Sequence, residues 1–244
     1  MSPTESRGAA IASDWRVFWD KKNDIYVGAR HRALHYRHLA DGILSVLPER
    51  AHLIVLDYGC GEALDAGRVA GRVERLMLFD PSAWMQARLV ERFAAAPGLA
   101  IASSEDLDRL APQSLDVVVI NSVAQYIGRD EFSAILDRIA RWLRPDGFLI
   151  LSDIVPKRES MIADIGQFLM QALRNGYFLA GLRGLAATFS SDYRRIRVTG
   201  GFSRYDTAEI EFLVAGSGLR ATRHPENFGL NQRRMTFLCR KVSS

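Results

Sequence analysis

VLDYGCGEAL, residues 55–64, is the stretch on which the reading of this chain turns. The apolar run Leu53 to Leu56 reads as a buried strand. The chain then turns on Gly59 and Gly61 and enters a helix-like segment near Ala63. Glycines at such a turn tolerate backbone dihedrals that other residues avoid, and they let the backbone approach a ligand closely. A second short apolar strand, Leu76 to Phe79, ends at Asp80, 23 residues beyond Asp57. An acidic residue about 20 positions after a glycine-rich turn is placed to bind both hydroxyls of a ribose. Turn and acid together describe a site for an adenosine-bearing ligand.

The residues around the turn narrow the ligand. A dinucleotide fingerprint needs a third glycine, where this chain has Leu64, whose bulk would hold helix and strand apart. Asp57, just ahead of the turn, would repel a phosphate but suits a ligand carrying an ammonium group. The phosphate-loop signature GxxxxGK[ST] is absent, which argues against a nucleoside triphosphatase. Further along, LDVVVIN (115–121) is a continuous apolar run suited to a fully buried parallel strand. It continues into NSVAQY (121–126), and RWLRPDGFLILSDI (141–154) follows as a helix end, a turn and another strand.

On these residues the chain resembles the class I S-adenosylmethionine-dependent methyltransferases. The hydrophobic pair followed by Asp57, Gly59 and Gly61 is similar to their first motif, and RPDGFLILSD to the segment before their fifth strand. NSVAQY resembles a phrase of the methyltransferase domains embedded in nonribosomal peptide synthetases. The resemblance covers roughly residues 53–154. It implies S-adenosylmethionine as cofactor, with Asp57, Gly59 and Gly61 at its methionine end and Asp80 on its ribose, beside Pro81 or Ser82. Ser103, Ser104, Glu105 and Asp106 then follow the third strand, where relatives contact the adenine. Asn121 and Ser122 lie near the methyl group, with Gln125 and Tyr126 just beyond.

Strands and helices alternate along the chain. The pattern predicts strands at 53–57, 76–80, 99–102, 115–121 and 147–153, with helices at about 62–72, 82–95 and 129–143. A helix at 206–216 and strands at 219–224 and 235–241 close the order, the last two as an antiparallel hairpin. The fold class is α/β, a doubly wound, mostly parallel seven-stranded sheet of Rossmann-like form. Right-handed crossovers place the carboxyl ends of the strands along one edge, where ligands bind. We read one domain over 1–244, with a disordered tail at 1–13, an N-terminal helical cover at 14–48 and a helical insertion at 157–203. No internal repeat is visible.

Composition sets bounds on function. Hydrophobic residues make up 48% of the 244, enough for a sizeable core. No stretch approaches 18 apolar residues and no signal peptide opens the chain, so the expected location is the cytoplasm. Cys60 and Cys239 fit no metal spacing, and no metal is expected. The net charge is +4, and only four of the 32 basic residues are lysine, scattered rather than clustered. Nucleic acid binding is therefore not the expectation; the nearest candidate stripe, DYRRIRVTGGFSRY (192–205), reads first as a solvated or substrate-facing loop. The insertion is rich in apolar residues around Asn175-Gly176. It reads as a docked helical cap, as a lid with an oily inner wall, or as a peripheral membrane contact.

For the acceptor side, His31, His35 and His38 share one face of a predicted helix. They read as a polar helix face, as a metal cluster lacking carboxylates, or with His31 or His35 as a base. Tyr26 and Tyr36 lie on that face or its rim, where a hydroxyl near the cofactor carboxylate is expected. His224, Asn227, Asn231 and Arg234 form a polar group with no assigned role, and His52 reads as a surface residue. Asp153, ending the fifth strand, is the carboxylate candidate for holding an acceptor. The expected function is methylation of oxygen or nitrogen on a small or carrier- or lipid-linked molecule of specialised metabolism. The alternatives are an RNA or protein methyltransferase, or a subunit that holds cofactor without catalysis.

Overall fold

The computed structural model describes residues 20, 26–157, 161–188 and 203–242, without the side chains of 161–164 and 184–188. The expected tail at 1–13 and nearly all of the basic stripe, residues 192–202, lie outside the described residues. One seven-stranded sheet carries the fold, in the order β3-β2-β1-β4-β5-β7-β6. Its strands are β1 (Ile54–Tyr58), β2 (Arg75–Phe79), β3 (Leu99–Ile101), β4 (Leu115–Asn121), β5 (Leu143–Ile154), β6 (Leu219–His224) and β7 (Met235–Lys241). The first five pair in parallel, and β7 runs antiparallel between β5 and β6.

Helices cover both faces. α1 (Ala29–Val46) packs Leu39, Ala40 and Ile43 onto the face made by Val55, Leu76, Leu78, Val117 and Val119. α5 (Arg129–Trp142) buries Phe132, Leu136, Ile139 and Trp142 on the other face, beside α8 (Thr207–Gly216). Alternate residues of one strand thus feed two separate cores, as strand geometry requires. Within the apolar run of β4, Asp116 is buried and still satisfied: Arg50 (2.6 Å) and Arg144 (2.7 Å) neutralise it, and the Ile54 amide donates to it at 2.8 Å.

Two boundaries differ from expectation. The helix expected at 62–72 is only α2 (Ala66–Ala70), because Ala63 has a left-handed φ of 46° that no right-handed helix accommodates. α3 (Ala83–Phe93) and α4 (Ser104–Asp108) follow their strands. The turn expected at Pro145-Asp146-Gly147 is an irregularity inside β5, where the pairing slips from Leu115–Leu143 to Val117–Phe148. Of the span 14–48 expected as an N-terminal cover, α1 is described, and residues 14–19 and 21–25 lie outside the described residues. The insertion contains α6 (Met161–Arg174) and α7 (Phe178–Thr188), broken at Gly176 with φ 72°.

Candidate active site

The glycine turn is built against β2. The amides of Gly59 and Cys60 both donate to the Phe79 carbonyl, at 2.7 and 3.0 Å. Gly59 (φ 81°) and Gly61 (φ 57°) are left-handed. A Cβ on Gly59 would lie 2.5 Å from Val123 Cγ2, and one on Gly61 2.8 Å from the Tyr36 hydroxyl oxygen. Glycine is demanded at both positions by backbone and by crowding. The Glu62 amide then donates to that Tyr36 oxygen at 2.8 Å, which ties the turn to α1.

Asp80 closes the turn from the other side. One carboxylate oxygen accepts from the Gly61 amide and the other from the Ser82 amide, each at 3.0 Å. Each oxygen keeps lone-pair capacity for a further donor, as ribose hydroxyls would need. Burial raises the pKa of Asp80, and the two amide bonds oppose the rise. Asp57 is more extreme: burial, and then the neighbouring Asp80, push it up to about 7. Its Oδ1 is buried with no partner, as are Asn121 Oδ1 at the end of β4 and Gln125 Oε1 beyond it. Unpaired buried acceptors are rare in native structures. Three at one edge suit a ligand that brings donors and positive charge. A cavity of about 20 Å³ lies beside Asp57, lined also by Tyr36, Ala63 and Val119.

On the adenine side, Ser103 caps α4 in a reciprocal box with Asp106, so Asp106 is engaged locally. Ser104, Glu105 and Pro81 are exposed at the rim. Gln86 was not anticipated; its side-chain amide donates to the carbonyls of Asp80 and Ala102, both at 2.9 Å, and holds the ends of β2 and β3 together. Glu62 was also missed. It receives Arg32 at 3.2 Å and Arg92 at 3.3 Å, pairings that span 30 residues and leave no local pattern. Cys60 is buried with its thiol pKa pushed up by burial, which makes it inert.

The opposite end of the edge is differently made. Ser122 (φ 58°), just past β4, and Asp153 (φ 60°), in the neighbouring β5, are both left-handed, and the Ser122 hydroxyl donates to Asp153. Asp153 also takes Arg234 at 2.5 Å and the Asn227 amide at 3.0 Å, while its own amide donates to Asn227 Oδ1 at 3.1 Å. Burial alone would raise its pKa; Arg234, Ser122, His35 and Asn227 outweigh burial and hold it below the usual value. The expectation that Asp153 is free to hold an acceptor therefore meets a carboxylate already occupied. The polar group of Asn227 and Arg234, left without a role by the sequence, is its partner set. Asn231 joins it through its carbonyl, which accepts from the Asn227 side chain, while His224 lies apart, half-buried, with its ring against Phe228.

The histidines of α1 divide. His38 is exposed, whereas His31 and His35 are half-buried. Tyr26 lies 5.6 Å from His31, 5.4 Å from His35 and 6.1 Å from Tyr36, between ring centroids. His31 stacks on Tyr177 of the insertion at 5.3 Å and meets Phe168 at 5.5 Å. Burial, then His35, lowers His31 to about 4. His35 is lowered too, by burial first, with Asp153 opposing and Arg234 and His38 assisting. Both imidazoles are therefore neutral at neutral pH. His31 Nδ1 and the Tyr177 hydroxyl are buried without partners. Tyr126 is half-buried against the core, and His52, exposed, pairs with Glu74 at 2.8 Å. Among the described residues, no three histidine, cysteine or acidic side chains converge on a metal site.

Residues 55–147 match a family model whose description is methyltransferase domain. No curated protein matches the chain by sequence. Among solved structures it is similar to phosphoethanolamine N-methyltransferase 1 of Haemonchus contortus in complex with phosphoethanolamine and S-adenosylhomocysteine. That likeness has a TM-score of 0.63 and 19% identity, over 100% of this chain and 50% of that one. It is also similar to magnesium protoporphyrin IX methyltransferase of Synechocystis PCC 6803 with bound S-adenosylhomocysteine (TM-score 0.56, 17% identity, 98% and 97% covered). A third is the mitomycin 7-O-methyltransferase MmcR (0.59, 17%, 86% and 55%). The chain thus spans about half the length of the first and third of these proteins. At such identities the likeness establishes the fold. The matched segment, residues 55–147, is similar to a methyltransferase domain.

Proposed function

We propose that this chain transfers the methyl group of S-adenosylmethionine to oxygen or nitrogen of a small or carrier- or lipid-linked acceptor in specialised metabolism. The observation that carries the reading is the pair at the glycine turn, Asp57 buried and Asp80 half-buried, with no cation among their partners in the described residues. Asp57 would face the ammonium group and Asp80 the ribose hydroxyls. Tyr26 lies toward the amino-acid end, Pro81, Ser104 and Glu105 toward the adenine, and Asn121, Ser122 and Tyr126 beneath the reacting carbon. Bound there, the cofactor supplies an electrophilic methyl group on a sulfonium.

The chain's own contribution is alignment, exclusion of water and handling of one proton. His31 and His35, neutral and half-buried between Tyr26 and the insertion, are placed to accept the proton that an acceptor hydroxyl or ammonium must lose. Asp153 acts at a distance: it compensates Arg234 and sets the charge seen by His35. The resemblance of NSVAQY to peptide-synthetase methyltransferase domains supports a specialised-metabolite acceptor.

The test is transfer of labelled methyl from S-adenosylmethionine to a panel of hydroxylated and amine-bearing acceptors. Turnover is expected, and His31→Ala or His35→Ala should slow it with cofactor affinity intact. Full activity in both variants would remove the base assignment. Cofactor binding with no transfer to any acceptor, or transfer to RNA or protein only, would overturn the reading.

A further inference from the structure

The two faces of the α6–α7 hairpin have different chemistry. Its inner face is packed: Phe168, Ala172 and Tyr177 turn inward, and a Cβ on Gly181 would lie 3.2 Å from that of Ala172. Gln171 ties α6 to the body of the protein through the Leu230 carbonyl at 2.9 Å. Its outer face is apolar and open. Met170, Leu173, Leu179 and Leu182 are 53, 61, 73 and 42% exposed. They are four of the seven large hydrophobic residues exposed among the described residues, so more than half of that surface sits on one short hairpin. Each pair is spaced i, i+3 and therefore shares one side of its helix.

Beyond Asp164, in the first turn of α6, charge on this hairpin is one-signed. From residue 165 to 191 the sequence holds Arg174 and Arg183 and no acidic residue. Both arginines are exposed beside the leucines. Water disfavours so much clustered apolar surface, and a second copy of this chain, net +4 and bringing the same two arginines, would meet like charge here. Aliphatic residues flanked by arginines, with no acid from 165 to 191, match an interfacial helix on a negatively charged lipid surface. No helix among the described residues is long and apolar enough to cross a membrane, so the contact is one of lying on the surface.

We propose that the outer face of the α6–α7 hairpin, through Met170, Leu173, Leu179, Leu182, Arg174 and Arg183, docks on an anionic bilayer surface. The inner face of the same hairpin meets His31 through Phe168 and Tyr177. Docking would thus bring the acceptor side of the site to the bilayer, where a lipid-linked or membrane-dissolved acceptor resides. The docking itself is independent of the methyl-donor reading.

The experiment is flotation of the full chain with phosphatidylcholine vesicles, with and without phosphatidylglycerol. Binding is expected only with the anionic vesicles. Leu173→Gln with Leu179→Gln should reduce it at least about tenfold, and Arg174→Gln with Arg183→Gln by on the order of fivefold per arginine. S-adenosylhomocysteine binding of each variant, unchanged, shows that the fold and the donor site are intact. No flotation, equal flotation with both vesicles, or binding indifferent to the leucine variant would each overturn the proposal. So would self-association in sedimentation velocity that the leucine variant abolishes in a chain that ignores vesicles, since a second copy would then cover the face.

Discussion

Asp80 and Asp153 are carboxylates at the same edge of one sheet, and they are held in opposite ways. Asp80 is gripped by two backbone amides and no cation, so burial leaves it raised. Asp153 is gripped by Arg234, Ser122 and Asn227, which leave it lowered in spite of deeper burial. The first end, with Asp57 beside it, holds two carboxyl groups with no cation among their described partners. The second is electrically closed and presents neutral imidazoles and aromatic rings. A cationic donor and an uncharged reacting group are the ligands such an edge would sort to its two ends.

The contrast can be broken most forcefully at Arg234. Replacing it by Met leaves Asp153 buried without its cation and should lower stability by about 2–3 kcal/mol in denaturant titration. Asp153→Asn added to the same chain should restore most of the loss. If R234M alone costs nothing, the second end is not held by charge. Asp80→Ala comes next: affinity for S-adenosylhomocysteine should fall by about 1–3 kcal/mol, because charged acceptors of ribose hydroxyls are lost and the Gly61 amide is freed. Unchanged affinity would dismiss the ribose assignment.

A pH profile sharpens the first end. Asp57 is raised to about 7 in the folded chain, above its ordinary carboxylate value. A group raised by folding contributes stability at low pH that is lost between its unfolded and folded values, so the unliganded protein should weaken up to about pH 7 and level off above it. A ligand ammonium favours the ionised form, so affinity should rise over the same window, by about tenfold between about pH 6 and about pH 8. Asp57→Asn should flatten both curves; a slope that survives it belongs to another group. The smallest effect is expected at Ser103→Ala, about 1 kcal/mol of stability through the lost α4 cap. Cofactor affinity should stay within a factor of about two, since Ser103 and Asp106 satisfy each other.

The two ends were also unequally legible in the sequence. The donor end is written locally: a strand, two glycines with left-handed dihedrals, and an acid at the end of the next strand. Backbone geometry enforces that spacing, so residues 55–80 disclose it without any partner. Even there the sequence did not show that Asp80 also bonds the Gly61 amide, or that Ala63 would delay the helix. The closed end is assembled over long separations, Ser122 with Asp153, Asp153 with Asn227, and Asp153 with Arg234. No periodicity joins these residues, because only the β4–β5–β7 pairing brings them together. His31 and His35 were legible as one helix face, but their divergence from His38 depends on Tyr26 and the insertion packing over them.

Calorimetric titration of the wild-type chain with S-adenosylhomocysteine, with NAD in a parallel cell, tests the reading of the open end most directly. We expect binding in about the micromolar range for S-adenosylhomocysteine and none for NAD. No heat with S-adenosylhomocysteine, or equal affinity for the dinucleotide, would contradict it and reduce the Gly59–Gly61 turn to a structural element.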